Sequence, residues 1–104
     1  MRNLLLITIV LFMSACSSTL TDAFNKTSIL AEKGNVIAQF NLGVMYHKGK
    51  GVTQDNKLAY MWFNIAALSG NEPATEWRDK IAKNLSPSQL NKAQDMARVW
   101  AAKP

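Results

Sequence analysis

The chain has 104 residues and a formal net charge of +5, with 48% hydrophobic residues, one cysteine and one histidine. This length suffices for one small domain, and the cysteine and histidine counts exclude an intramolecular disulfide and a His/Cys metal cluster. The lysines and arginines are scattered as on a solvated helix surface, without the basic stripe and interleaved aromatics of a nucleic-acid-binding protein.

The first fifteen residues have the layout of a bacterial export signal. Met1-Arg2-Asn3 is a short positive start, Leu4 to Met13 is apolar except for Thr8, and Ser14-Ala15 is a pair of small residues. A membrane-spanning helix needs roughly 20 apolar residues, whereas a short apolar run between a positive start and small residues is typical of a signal peptide. We therefore expect residues 1–15 to be a signal peptide, the alternative being a buried core helix.

The residues before the cysteine resemble the lipobox of bacterial lipoproteins. Ser14, Ala15 and Cys16 match that pattern, while Met13 stands where leucine is usual. The resemblance implies cleavage before Cys16 and lipidation of its sulfur. Because Ser17 is not the aspartate that signals inner-membrane retention, it also implies an outer membrane lipoprotein that faces the periplasm. The alternative is cleavage after Ser17, which would release a soluble periplasmic protein.

The rest of the chain is divided into a tether, residues 16–20, and a helical domain, residues 21–103. Apolar residues recur there at helical spacing, and no alternating pattern indicates a strand. Five helices are predicted, at about 21–33, 36–48, 55–69, 72–84 and from 86 onward.

Local signals mark where these helices begin and end. Asp55 or Asn56 is expected to cap the third helix, and glycines end the first and the third. Pro73 lies in the first turn of the fourth helix, where its missing N–H costs little. Ser86 and Gln89 have the spacing of a capping box at the start of the fifth helix.

The sequence contains an internal repeat. Ala31-Glu32-Lys33-Gly34-Asn35 is matched 36 residues later by Ala67-Leu68-Ser69-Gly70-Asn71. This period fits a two-helix unit of a helical solenoid. The chain would therefore hold one complete unit, the end of a preceding unit and the start of a following one.

The residues of this unit resemble the Sel-one-like repeat family, whose members are related to tetratricopeptide repeats. The resemblance covers about Ser28 to Trp100 and implies an all-α fold, a short α-solenoid of antiparallel helix hairpins. It would have one complete repeat at about 35–70, with capping helices on both sides. The positions that match the family pattern are Ala38, Leu42, Gly43, Tyr46, Gly49, Gly51, Asp55, Ala59, Trp62, Ala66, Ala67 and Gly70.

The third helix is predicted to be buried on several sides because it is apolar nearly all round. One stripe contains Ala59, Trp62 and Ala66. A second contains Leu58, Met61, Ile65 and Leu68. Elsewhere, Gly43 is expected to let a neighbouring helix approach closely. Three aromatic residues are interpreted as core rather than as the lining of a binding groove: Phe40, Tyr60 and Trp77.

No enzyme motif is recognised. His47, next to Lys48, is interpreted as a favourable charge at a helix C-terminus. A catalytic triad of His47 with Asp55 and Ser69 or Thr53 has no support from spacing. Two acids one turn apart, Glu72 and Glu76, are interpreted as favourable charges at a helix N-terminus rather than as a catalytic pair.

The resemblance implies a non-enzymatic protein–protein interaction module, and the export signal makes it an adaptor in the bacterial cell envelope. Its partner would be another envelope protein, with no cofactor, no metal and no nucleic acid, and its membrane attachment would be the lipid. Marginal stability also favours self-association. The alternatives are a cell-wall-active or β-lactam hydrolase and a capping subunit of a larger repeat assembly.

Overall fold

Residues 19–104 are described by a computed structural model. The predicted signal peptide at 1–15, the lipidation of Cys16 and the first part of the tether lie outside these residues. Within residues 19–104 there are five helices and no strand, so the all-α prediction is confirmed. Helix α1 covers residues 19–32, and four more follow: α2 (Val36–Lys48), α3 (Asn56–Leu68), α4 (Glu72–Ala82) and α5 (Pro87–Ala101).

Side-chain caps set the starts of the last four helices. Asn35 Oδ1 accepts a hydrogen bond from the Ala38 N–H at 2.9 Å, and 36 residues later Asn71 Oδ1 accepts from Ala74 at 2.8 Å. The Asp55 carboxylate caps α3 by accepting from two backbone N–H groups at 2.9 and 3.1 Å. Both hydrogen bonds of the predicted capping box of α5 form: the Ser86 side chain accepts from the Gln89 N–H, and the Gln89 side chain accepts from the Ser86 N–H. These caps occupy donors that would otherwise lack partners in the first turn.

The predicted end of the fourth helix was wrong by two residues. Helix α4 ends at Ala82 and not at Asn84. The Asn84 N–H bonds to Ile81 O at 2.9 Å and the Leu85 N–H to Ala82 O at 3.2 Å. These i→i+3 bonds tighten the final turn, because the chain must reverse within a few residues to start α5.

Helix α3 is the central helix and packs against α2, α4 and α5. Trp62 and Phe63 lie in two different hydrophobic clusters, one on each side of α3, and are 4% and 0% exposed. The inclusion of Leu68 in a buried stripe was wrong, since Leu68 is 69% exposed. It occupies the last turn of α3, where the chain leaves the helix at Ser69, and so it lies beyond both clusters.

Helix α1 is held against the repeat by contacts with α2 and the loop after it. The ring of Phe24 meets that of Tyr46 edge to face, with centroids 5.5 Å apart. Gln39, which is only 2% exposed, donates from Nε2 to the carbonyl oxygen of Ala31 at 3.2 Å. No described residue donates to Gln39 Oε1, and an unsatisfied buried acceptor costs about 1–3 kcal/mol. The bond to Ala31 is the compensating interaction that joins α1 to α2.

Gly43 lies where α2 crosses the Phe63 ring. A Cβ added at Gly43 would meet two ring atoms of Phe63 at 2.7 Å. We expect Gly43→Ala to lower the free energy of unfolding by about 1–3 kcal/mol through overpacking. This cost outweighs the gain of about 1 kcal/mol in helix propensity, because Phe63 is fully buried and has little room to shift. Urea titration of both proteins measures the difference.

The control for Gly43→Ala is the same change in a Phe63→Leu background, where the smaller side chain removes the clash. The cost of the alanine should then shrink or change sign, since contacting sites are not additive. Equal costs in the two backgrounds would contradict the proposed contact.

Candidate interaction surface

An apolar groove runs along α5 and over the middle of α3. We call it the α5 groove. It encloses about 360 Å³, and its floor and walls are mostly apolar. Proteins usually bind their ligands at concave, mostly apolar surfaces of this kind. The lining residues come from α1, α3, α5 and the segment after α5: Glu32, Met61, Lys92, Asp95, Met96, Val99, Trp100 and Lys103.

Trp100 joins the two walls of the groove. Its indole Nε1–H donates to Glu32 Oε2 on α1 at 2.8 Å. Its ring stands edge-on to Trp62 of α3, with centroids 5.6 Å apart and planes at 69°. A tryptophan fixed by both a hydrogen bond and an aromatic contact has little rotational freedom. The groove is therefore held in shape by the core before any partner binds.

The residues of the predicted repeat motif build the frame behind the groove and do not line it. Three glycines of the motif lie in turns with positive φ: Gly49, Gly51 and Gly70. Asp55 caps α3, and Tyr46 and Ala67 are partly buried. The other six are buried in the core: Ala38, Leu42, Gly43, Ala59, Trp62 and Ala66.

The groove residues on α5 were not predicted as a surface. Lys92, Met96 and Val99 recur at steps of four and three, which places them on one side of α5, and Lys103 follows just after the helix ends. This stripe runs beside the buried stripe that contains Ala93 and Ala97. The stripe on α5 could therefore be predicted from the sequence. The opposite wall of the groove, formed by Glu32 of α1 and Met61 of α3, could not.

Of the three aromatic residues interpreted as core, Tyr60 is buried in the core, whereas Phe40 and Trp77 are partly buried and pack against it. Tyr60 is 6% exposed. Phe40 and Trp77 both pack on Phe63, with ring centroids 5.6 and 6.0 Å away. Next to them on α3, Asn64 accepts a hydrogen bond from the Arg78 guanidinium at 3.2 Å and so joins α3 to α4.

The one histidine has a structural position. His47 Nδ1 lies 3.1 Å from Asn56 Oδ1, and the ring meets Trp77 edge to face at 5.5 Å. The carboxylate of Asp55, its candidate triad partner, accepts hydrogen bonds from two backbone N–H groups in the first turn of α3. Across residues 19–104, no group of three or more His, Cys, Asp or Glu side chains is placed to hold a metal ion. Among those same residues, every helix is too short or too polar to cross a membrane.

Tyr46 gives the fold a testable pH dependence. Burial raises the pKa of the Tyr46 phenol above its ordinary value of 10.0, and the carboxylates of Asp55 and Glu32 raise this pKa further. A raised pKa in the folded state means that the unfolded chain loses this proton first. The contribution of Tyr46 to stability is therefore complete below about pH 10 and is lost as the pH rises through the folded-state pKa.

The measurement is the difference in free energy of unfolding between the wild type and Tyr46→Phe, from about pH 8 to pH 11. Other titrating groups cancel in this difference. We expect it to change in favour of the phenylalanine variant above about pH 10. A difference that stays constant over this range would contradict the assignment.

The chain is similar to known proteins in sequence and in fold. Residues 36–71 match the family model described as the Sel1 repeat. The chain is also similar to a protective antigen present in uropathogenic Escherichia coli strains, whose crystal structure displays an SLR fold. The two are 32% identical, with a TM-score of 0.76 over 78% of this chain, and the chain spans 18% of the antigen's length. No curated protein sequence matches the chain. The predicted helical repeat is thus confirmed.

Proposed function

We propose that this chain is a small protein-interaction module that binds a partner protein through the α5 groove, because residues 36–71 match the Sel1 repeat model. The observation that carries the proposal is the exposed apolar surface of that groove. Val99 lies on it and is 66% exposed, beside a tryptophan that the core holds in place. Apolar surface left exposed at the edge of a packed repeat is typical of a binding site.

The exposed surface of α1 is mixed, with charged Asp22 and Lys26 beside apolar Ile29 and Leu30, which are 56% and 48% exposed. The 36-residue period aligns Asp22, Lys26 and Ile29 with Leu58, Trp62 and Ile65 of α3, which lie in or against one of the two hydrophobic clusters. Two of the three α1 positions are therefore charged. A further repeat stacked there would bury both charges, which is costly without partners.

The exposed side of α5 next to the groove is polar. Asn91, Gln94, Asp95 and Arg98 are all exposed. Polar outer faces are typical of the capping elements of a repeat array. A repeat stacked on this face would bury polar groups, so we favour binding at the side groove over extension of the array beyond α5.

The test places a photo-crosslinking amino acid at Val99 and, as a matched control, at the exposed Glu76 of α4. Neither position contributes to the core, so both variants should fold. After irradiation of intact envelopes, we expect a partner adduct at Val99 and none at Glu76. Adducts at both positions, or at neither, would argue against the groove. An adduct with the mass of a dimer would identify self-association as the interaction.

An enzymatic role is the alternative from another class. Purified protein should be assayed for turnover of a β-lactam and of muropeptides. We expect no turnover above that of a His47→Ala variant, because His47 and Asp55 already make structural contacts with Asn56 and with the first turn of α3. Turnover that depends on His47 would overturn the proposal of a binding module.

For location, we propose an envelope lipoprotein, anchored through Cys16 in the outer membrane and facing the periplasm. The support is the sequence pattern around Cys16. Mass spectrometry of the mature N-terminus should show a lipid-modified Cys16, and processing should be sensitive to globomycin. An N-terminus at Ser18 without lipid would instead indicate cleavage after Ser17 and a soluble periplasmic protein.

A further inference from the structure

The fold gathers positive charges that are scattered in the sequence at one end of the helical bundle. Phe24 of α1 packs on Tyr46 near the end of α2. The next residue, His47, contacts Asn56 at the start of α3 and Trp77 in α4. The start of α1, the α2–α3 loop and the α4–α5 turn therefore lie at the same end. We call it the basic end, after its five lysines: Lys48, Lys50, Lys57, Lys80 and Lys83.

The excess of positive charge is confined to the half of the bundle that contains this end. When each helix is divided at its middle, this half has seven Lys or Arg residues and three Asp residues. The other half has four Lys or Arg residues and four Asp or Glu residues. One half therefore carries the whole net charge of +4 of residues 19–104, and the other half is neutral.

Helix stabilisation does not account for the whole cluster of lysines. Lys48 and Lys80 lie in the last turns of α2 and α4, where a cation interacts favourably with the helix dipole. Lys57, however, lies in the first turn of α3, where the dipole disfavours a cation, and Lys50 lies in the loop before it. These two lysines therefore point to a negatively charged surface outside the chain.

The N-terminal tether meets the bundle at the same end. Leu20 and Phe24, near the start of α1, lie against Gly51 of the α2–α3 loop. Cys16 precedes residue 19, where the described chain begins, by three positions, and three residues reach at most about 11 Å. A lipid on Cys16 would therefore hold the start of α1 close to the membrane, at a distance comparable with the screening length of about 10 Å at 0.1 M salt.

We propose that the basic end binds the anionic phospholipid headgroups of the membrane in which the chain is anchored. A cluster of lysines beside a membrane attachment is typical of a surface that binds anionic lipid, and a lipid anchor combined with such a cluster holds a protein more firmly than the anchor alone. Val99 and Trp100 lie near the other end of α5, so this contact leaves them free for a partner. The inference rests on the proposed location and does not depend on what binds the α5 groove.

The experiment places a photo-crosslinking amino acid at Thr53, which is exposed in the α2–α3 loop, and at Ser69, which is exposed at the opposite end. After irradiation of intact envelopes, we expect at least about fivefold more phospholipid adduct at Thr53 than at Ser69, because the lipid surface attracts the basic end. Raising the salt of isolated envelopes to 1 M shortens the screening length to about 3 Å and should lower the yield at Thr53.

Charge reversal separates electrostatic binding from mere proximity to the anchor. Lys48→Glu/Lys50→Glu should lower the phospholipid adduct at Thr53 at least about threefold. The matched control is Lys26→Glu/Lys33→Glu, which makes the same charge change at exposed lysines of the neutral half. Its yield should stay within about 1.5-fold of the wild type, since charges far beyond the screening length interact weakly with the membrane. Circular dichroism melts should show that both variants are folded.

Each contrary outcome has a distinct meaning. A yield at Thr53 that charge reversal leaves unchanged, or equal yields at Thr53 and Ser69, would overturn lipid binding by the basic end. A charge-dependent protein adduct at Thr53 without lipid adducts would overturn the membrane as occupant. A persistent adduct at Val99 in either case would leave the proposed interaction module intact. If mass spectrometry shows an N-terminus at Ser18 without lipid, charge-dependent lipid adducts would overturn only the anchor, and their absence would overturn both proposals.

Discussion

Removal of residues 85–104 should leave a chain that no longer unfolds cooperatively. This deletion takes away α5, whose Ala93 and Ala97 are fully buried against the core. It also removes the Trp100 ring that covers Trp62. A domain this small has little stability to lose, and the exposed apolar layer should cause aggregation. Chemical denaturation followed by tryptophan fluorescence measures the effect.

A point substitution tests the same contact without shortening the chain. Ala97→Glu places a carboxylate in the fully buried position, with an expected loss of about 3–5 kcal/mol, the usual cost of an uncompensated buried charge. The matched control is Ala101→Glu, one turn further along α5 and exposed, where the change should be within about 0.5 kcal/mol. A soluble, cooperative deletion product, or equal effects of the two glutamates, would show that α5 is not part of the core.

Gly51→Ala should be the most damaging single change in the α2–α3 loop. Both Gly49 and Gly51 have positive φ, at 70° and 72°, so an alanine at either position costs about 1–2 kcal/mol in backbone strain. At Gly51 a Cβ would also meet the backbone oxygen of Leu20 at 2.4 Å. Because that oxygen belongs to the first described turn of α1, relief requires this turn to move. We expect the loss for Gly51→Ala to exceed that for Gly49→Ala by about 1–3 kcal/mol.

Gly49→Ala is the matched control, since its nearest contact is the Gln54 Cβ at 3.3 Å. Urea titrations of the two variants give the difference in unfolding free energy directly. Equal losses would mean that α1 does not rest on this loop.

The positions of the helices were largely predictable because local interactions decide them. Asn35, Asp55, Asn71 and Ser86 each hydrogen-bond to a backbone N–H two or three residues ahead. A cap of this kind is visible in the sequence as a residue type at a fixed distance from an apolar run. The end of α4 was the exception, because the length of the turn into α5 depends on how the two helices pack.

The sequence by itself determined the helical repeat, its period and the identity of most of its core. It did not determine which side of the repeat stays open. Trp100 and Glu32 are 68 residues apart in the chain yet share a hydrogen bond, and no local pattern predicts such a pairing. The burial of Gln39 and the exposure of Leu68 likewise depend on where the neighbouring helices pack, since α1 covers Gln39 and no helix covers Leu68. The tertiary structure alone placed α1, α3 and α5 around one groove, because that arrangement depends on contacts between residues distant in sequence.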